Sequence, residues 1–550
     1  MIERATQGWR PYALLALLAL GLYLPGMASL PVTDRDEARF AQATRQMLES
    51  RDFIAIRFLD EARNKKPAGI YWLQAASVAV FSDAESTAIW PYRLPSLLGA
   101  MGAGLMSFGM GAALVGRRAA FLGAALLTAS LGLVTEAHLA KTDAVLLATI
   151  AAAELALGQI YLAARGGRIA SWYQAAIFWL AMAAGILIKG PVAPLVAILT
   201  IAALVAADRD GRWLKGLHPL WGLLGLVAIV TPWLVAIMSA TQGTFLSDSL
   251  GNDFLAKLIG AQEAHGAPPL YYLALLPVTF WPGTLFLGPA IAWAWRRRAE
   301  PAQRFLIAWA VPFWLVLELV PTKLPNYLLP VFPALALLAG SALIAAGESD
   351  FTSWRWLDRA TAGLGGLVTL GIGVALVAAP FKYGDRLSAA GLAAAIVALS
   401  LGLRCAGTAW RKSTPNLAIR AAILALLILP LGFEFVAPSL DRLWLSRAVA
   451  ELVAHYGIPK DASVAATGYA EPSLVFLLGS NTKIGGVDRA AQNMTMARGA
   501  LALVASTDDA AFHAALGALG WEPREVGKVE GLDYSNGRNL ALTLYDAVPR

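Results

Sequence analysis

Apolar residues run in long blocks along this chain, and polar residues collect in short clusters between them. The first block is roughly 11–30, PYALLALLALGLYLPGMASL. Others lie near 94–115, 119–135, 142–163, 172–188, 191–207, 218–239, 271–295, 305–320, 325–345, 360–380, 387–403 and 417–438. Each approaches the ~20 apolar residues with which a helix crosses a bilayer, so the pattern predicts an α-helical polytopic membrane protein of about 13 transmembrane helices. An outer-membrane barrel is excluded, because its strands would alternate with period two. The first block is longer than an ordinary signal-peptide core and reads as a retained span. The run 70–82 is apolar but short, and it reads as an interfacial helix lying on the membrane.

Charge then orients the spans. Arg4 and Arg10 precede the first block, and every second loop after it is basic. These loops hold Arg117 and Arg118; Arg165 and Arg168; Arg209, Arg212 and Lys215; Arg296, Arg297, Arg298 and Arg304; Arg355 and Arg359; and Arg404, Arg411, Lys412 and Arg420. Cytoplasmic loops carry such an excess. The loops 31–93 and 240–270 and the C-terminus then fall outside. Reading 70–82 as a span would invert every later loop.

From about residue 441 the composition shifts. Asp, Glu, Asn and Ser mix with short apolar runs. SRAVAELVAHYG (446–457) and DDAAFHAALGALG (508–520) read as helices, and ASVAATG, LALVAS and LALTLYD read as strands. The division is therefore a membrane domain over 1–440 and a compact outer α/β domain over 441–550.

Only 15% of the 550 residues are charged against 58% hydrophobic, which excludes a soluble enzyme. The one cysteine, Cys405, leaves no internal disulfide to depend on. The net charge of +7 belongs with cytoplasmic loops rather than with nucleic acid. Neither a Walker loop nor a dinucleotide fingerprint is present.

The polar residues that stand against this background gather on the outer side. VTDRDEARFAQATRQM carries Asp34, Asp36 and Glu37, and EARNKKPAGIYW carries Arg63, Lys65 and Lys66. Glu136, His138, Lys141 and Asp143 lie at the outer ends of the third and fourth blocks. Lys189 sits in ILIKGPVAP, and Lys323 and Tyr327 in VPTKLPNYLLPVFP. Lysines near a bilayer surface hold anionic headgroups such as a lipid phosphate. A carboxylate among them acts as a base, orients a nucleophile or stabilises developing positive charge. Each residue also has a plainer reading. Asp36, Glu37 and Asp143 are good helix-start residues. Lys66 suits an interface-snorkelling lysine, and Lys189 a turn before Pro191. His265 reads either as a solvated loop histidine or, with Glu85, as ligands for a divalent metal such as zinc, although no HxxxH or HExxH spacing supports the metal.

Taken together, DRDEARFA, KKPAGIYW, the stretch ending in Asp143, LIKGPV, AHGAPPLYYL and TKLPNYLLPVFPALALL resemble the C-type glycosyltransferases. Within them the chain looks like the bacterial lipid A 4-amino-4-deoxy-L-arabinose transferases, relatives of the protein O-mannosyltransferases. The resemblance implies the C-type fold, an inner-membrane enzyme with its site facing the periplasm, and a sugar donor linked to undecaprenyl phosphate. It implies lipid A as acceptor and the bilayer as surroundings; a divalent metal such as zinc near His265 stays an open alternative to no cofactor. Asp36 then matches the catalytic acidic position of the first periplasmic loop, with Glu37 beside it, and Asp143 matches the second acidic position. Lys66, Lys323 and Tyr327 would hold the donor phosphate, with Arg63 and Lys189 nearby. KKPAG departs from the family's more usual KPP. A related transferase acting on protein or another glycan shares these motifs, and a multi-span transporter shares the span count.

Overall fold

The structure, a computed structural model, describes residues 2–249, 251, 256, 266–348, 351, 353–457, 462–496 and 499–549. Among these, nine helices are long and apolar enough to cross a membrane, and two bent helix pairs raise the number to eleven. Arg10–Tyr23, Gly69–Phe81 and Val192–Asp208 are shorter apolar helices. The chain is thus a multi-pass helical membrane protein.

Small residues let the helices touch backbone to backbone. A Cβ on Gly340 would come 2.1 Å from the Ala119 carbonyl oxygen, and one on Gly123 would come 2.6 Å from that of Ala336. The helices Arg117–Ala129 and Phe332–Gly347 are therefore locked by their own main chains.

Two blocks expected as single spans are broken. Arg117–Ala129 and Leu131–Ala137 meet at 59°, and Tyr271–Thr279 and Gly283–Arg296 at 109°. A break frees backbone groups that lipid cannot satisfy. Here the breaks serve each other, since the Leu131 N–H donates to the Trp281 carbonyl at 2.8 Å. The Trp281 indole N–H donates to Thr369 Oγ1 at 2.9 Å.

In the segment 31–93, the helix Asp36–Ser50 precedes a two-stranded turn, β1 (Arg57–Phe58) with β2 (Glu61–Ala62). The apolar run near 70–82 forms the helix Gly69–Phe81.

The C-terminal region builds a five-stranded sheet from β3 (Val464–Thr467), β4 (Lys483–Ile484), β5 (Leu501–Ala505), β6 (Trp521–Asp533) and β7 (Arg538–Pro549), in the order β4-β3-β5-β7-β6. β3 is parallel to β4 and β5, and β7 is antiparallel to β5 and β6. Alternation along β5 supplies two cores. Leu501 and Leu503 pack with Leu445, Val449 and Val453 of the helix Leu445–Tyr456. Ala502 and Val504 pack with Phe512 and Leu516 of the helix Asp509–Ala518. Three expected strands and two expected helices are found; β4, β6 and the helices Pro472–Leu478 and Val487–Met496 are additions.

Candidate functional site

The site lies where the segment 31–93 meets the ends of the long helices. Asp36 and Glu37 open the helix Asp36–Ser50, where carboxylates face the positive end of the helix dipole. Their environments are opposite. Glu37 is 2% exposed and its two oxygens accept five hydrogen bonds: two from Arg93, two from the N–H and hydroxyl of Thr33, and one from the Ala140 N–H. Arg93, wholly buried, also donates to the carbonyls of Met27, Leu30 and Pro31. Burial favours the neutral acid, but the Arg93 guanidinium holds Glu37 below the usual carboxylate range. This pair ties the loop to the bundle, and no oxygen of Glu37 is left for a substrate. Asp36, the preceding residue, is exposed on the wall of a cavity of about 300 Å³. Among the described residues, no side-chain hydrogen bond or ion pair engages its carboxylate.

The opposite wall is made by the ends of the spans. Asp143 opens the 23-residue helix Asp143–Arg165, and its Oδ1 accepts from Lys189 Nζ at 2.6 Å and Asn326 Nδ2 at 2.7 Å. Lys189 ends the helix Trp172–Lys189 and lies 5.4 Å from the centre of the Tyr327 ring. Lys141 pairs with Glu136 at 2.9 Å. Burial works against the Lys141 ammonium, yet Glu136 and Asp143 hold its pKa above the ordinary lysine value. Arg63 lies over the Phe40 ring at 5.3 Å and, with Lys65 and Lys66, completes the rim.

This charged cavity opens directly into a second, apolar cleft of about 110 Å³, lined by Leu146, Val192, Leu195, Phe313, Val316 and Leu317 among others. Lys66, Asp143, Lys189, Thr322, Asn326 and Tyr327 belong to both walls. An amphiphile with a charged head and a long apolar tail is the shape such a junction accommodates.

Asp36, Asp143, Lys66, Lys189, Arg63 and Tyr327 are thus brought together as the sequence suggested. Lys323 is not: it is 4% exposed, donates to the Val320 carbonyl and is absent from both walls. Its neighbours Thr322, Leu324 and Asn326 face the cavity in its place. Of the pair offered for a metal, His265 lies outside the described residues. Glu85 is exposed on a loop whose carbonyl accepts from Arg45. Among the described residues, no three His, Cys, Asp or Glu side chains group as metal ligands. His138 is buried, stacked on Phe433 with ring centres 4.2 Å apart. Lys141, singled out with Asp143 in the sequence, also lines the cavity, whereas Asn326, Arg35 and Arg39 are site residues that sequence reasoning passed over. Each stands within three residues of one already singled out: Asn326 beside Tyr327, and Arg35 and Arg39 around Asp36.

A helical bundle with a carboxylate-and-lysine cavity at one end, opening into an apolar cleft, defines a membrane protein of the C-type glycosyltransferase fold. The crystal structure of ArnT from Cupriavidus metallidurans bound to undecaprenyl phosphate superposes with a TM-score of 0.74 over 97% of each chain, at 19% identity. Residues 65–235 match the family model described as dolichyl-phosphate-mannose-protein mannosyltransferase. Within that class the chain is similar to the bacterial undecaprenyl phosphate-α-4-amino-4-deoxy-L-arabinose arabinosyl transferases. It is 28% identical to the protein of that name from Pseudomonas paraeruginosa over 368 residues, 66% of this chain and 64% of the relative. It is 28% identical to that of Edwardsiella ictaluri over 380 residues, 68% of this chain and 66% of the relative. The match to the Pseudomonas paraeruginosa protein thus spans just under two thirds of that protein's length.

Proposed function

We propose that this chain transfers 4-amino-4-deoxy-L-arabinose from undecaprenyl phosphate to a phosphate of lipid A, at the periplasmic face of the bacterial inner membrane. The observation that carries the reading is the shared wall of Lys66, Lys189, Asp143 and Tyr327, which sets a cationic phosphate site at the mouth of an apolar cleft. The names of the relatives supply the sugar and the lipid carrier.

In the reaction, a lipid A phosphate oxygen attacks the anomeric carbon. The bond from that carbon to the undecaprenyl phosphate oxygen breaks, and the electron pair leaves with the phosphate. Lys66 and Lys189 stabilise the charge that grows there. The nucleophile is already anionic, so no proton need be removed. We assign Asp36 to the positive charge that builds on the sugar ring in the transition state. Asp143 holds the Lys189 ammonium in place, and Glu37 holds the loop.

One helix supports the sidedness in this reading. Asp143 begins it and Arg165 ends it, roughly 33 Å away at 1.5 Å per residue. At the Arg165 end, Arg165 and Arg304 converge on Asp208. Basic loops mark the cytoplasm, which supports a site that faces the periplasm. The shorter helices Arg10–Tyr23 and Val192–Asp208, taken as spans beside the eleven candidates, are compatible with 13 spans, with Gly69–Phe81 taken to lie on the membrane. The region beyond about residue 440 is then a periplasmic domain. Each transfer adds an ammonium to lipid A, which lowers its negative charge and weakens attraction for cationic peptides such as polymyxin. Mass spectrometry of lipid A from cells with and without the chain tests the reading. Gain of an aminopentose mass on a phosphate is expected, and an unchanged lipid A with a modified protein or glycan would overturn the acceptor.

A further inference from the structure

Arg35 is the residue that aims Asp36, and its backbone is unusual. Its φ of 63° and ψ of −107° match the first central position of a type II′ turn, where glycine is usual. An arginine stays in such a conformation only where its surroundings hold it there. The contacts that hold it come from the far end of the chain. The Asp34 N–H donates to the Tyr534 hydroxyl oxygen at 2.7 Å. The Arg35 guanidinium donates to the Ser535 carbonyl. The Ser473 hydroxyl donates to the Asp34 carboxylate.

Tyr534 and Ser535 form the turn between β6 and β7, and that turn is itself rigid. Asp533, 4% exposed, accepts from the Ser535 N–H at 3.0 Å and from Asn536 Nδ2 at 2.7 Å. Tyr534 stands edge-on to Trp444, whose indole N–H donates to the Ala437 carbonyl beyond the last long helix. The strained residue is thus clamped between the bundle, through Glu37 and Arg93, and a braced hairpin turn. Rotation of Arg35 out of its conformation would swing Asp36 off the cavity wall while leaving the lysines where they are.

We infer that the β6–β7 turn, through Tyr534 and Ser535, is a positioning element that holds Asp36 in the cavity, so the C-terminal region completes the active site. The inference rests on the assignment of Asp36 above. The test is steady-state transfer by the purified full chain in detergent, with undecaprenyl-phosphate-linked aminoarabinose as donor and lipid A as acceptor. Tyr534→Phe keeps the ring and its Trp444 contact and removes the oxygen that accepts from Asp34. The expected result is a kcat at least tenfold lower with a donor KM within twofold of the parent, and no further loss on adding Tyr534→Phe to Asp36→Asn. A Tyr534→Phe enzyme with parental kcat, or a loss that multiplies in full with that of Asp36→Asn, would overturn the role of the turn. Near-parental turnover by Asp36→Asn alone would instead overturn the assignment of the carboxylate, and the aim of the turn with it.

Discussion

The two walls of the charged cavity each carry an aspartate as the first residue of a helix, and the two aspartates live in different worlds. Asp143 is 7% exposed, and one of its oxygens is paired with the Lys189 ammonium and accepts a hydrogen bond from the Asn326 amide. Asp36 is exposed and stands on a loop held by a strained backbone and a distant hairpin. The same residue at the same helix position therefore does different work. A carboxylate already spent on a lysine tunes where that lysine points. One kept open by external clamps is available to the substrate. Helix-start propensity accounts for why aspartate is at home in both places, and the surroundings decide its chemistry.

The largest effect should fall on the open wall. Asp36→Asn should lower kcat about 100-fold or more, the scale on which single charge-stabilising groups act, with folding and donor binding intact. Steady-state transfer with a thermal unfolding control checks this. On the closed wall, Lys189→Ala leaves the buried Asp143 carboxylate without its cation, a change that costs about 3–5 kcal/mol. The folded yield should fall, and Lys189→Met with Asp143→Asn should restore it while undecaprenyl phosphate binding stays weak. Recovery of binding in that double variant would sever Lys189 from the phosphate. Lys66→Ala removes one charge-assisted bond of roughly 1.5–3 kcal/mol, so undecaprenyl phosphate affinity should fall about tenfold or more.

A smaller, pH-dependent effect separates the loop from the spans. Burial, with Glu471 and Asp533 close by and against the Ser473 hydroxyl, pushes Asp34 up to about 7. The unfolded chain binds that proton with a pKa of about 3.9. The folded state therefore holds the extra proton between these values, so stability falls as pH rises from about 4 to about 7 and levels off above that. The unfolding midpoint should drop between about pH 4 and about pH 7, and Asp34→Asn should flatten that part of the profile. The smallest effect should come from Lys323→Ala, with donor binding within about twofold, because its ammonium is committed to the Val320 carbonyl. A tenfold loss there would return Lys323 to the phosphate site.

Much of this was legible along the chain. Long apolar blocks give the bundle, and DRDEARFA, KKPAG, IKGPV and LPNY name most of the cavity wall. What was hidden depends on partners far away in sequence. Nothing near Glu37 reveals that Arg93 and the Ala140 N–H will consume it. A lysine such as Lys323 points either to a headgroup or back to a carbonyl, and the local sequence is the same for both. β6 escaped because EPREVGKVEGLD is polar and carries Pro523 and two glycines, as suits an edge strand. The Ser130 break has no proline at the corner. The second break does carry a signal, the two prolines of PVTFWPG.

The bond between the two helix breaks bears on how the chain is made. Leu131 and its acceptor Trp281 are 150 residues apart. At roughly 5–20 residues per second of synthesis, the first broken segment waits on the order of 10–30 s before its partner exists. During that time the Leu131 N–H must be satisfied by something else, since hydrocarbon offers it nothing. The segment 117–137 therefore has reason to linger in the insertion machinery, or at the interface, until Trp281 emerges. A ribosome-bound chain truncated before residue 281 should leave this segment accessible to water-soluble labels, and one extended past residue 320 should not.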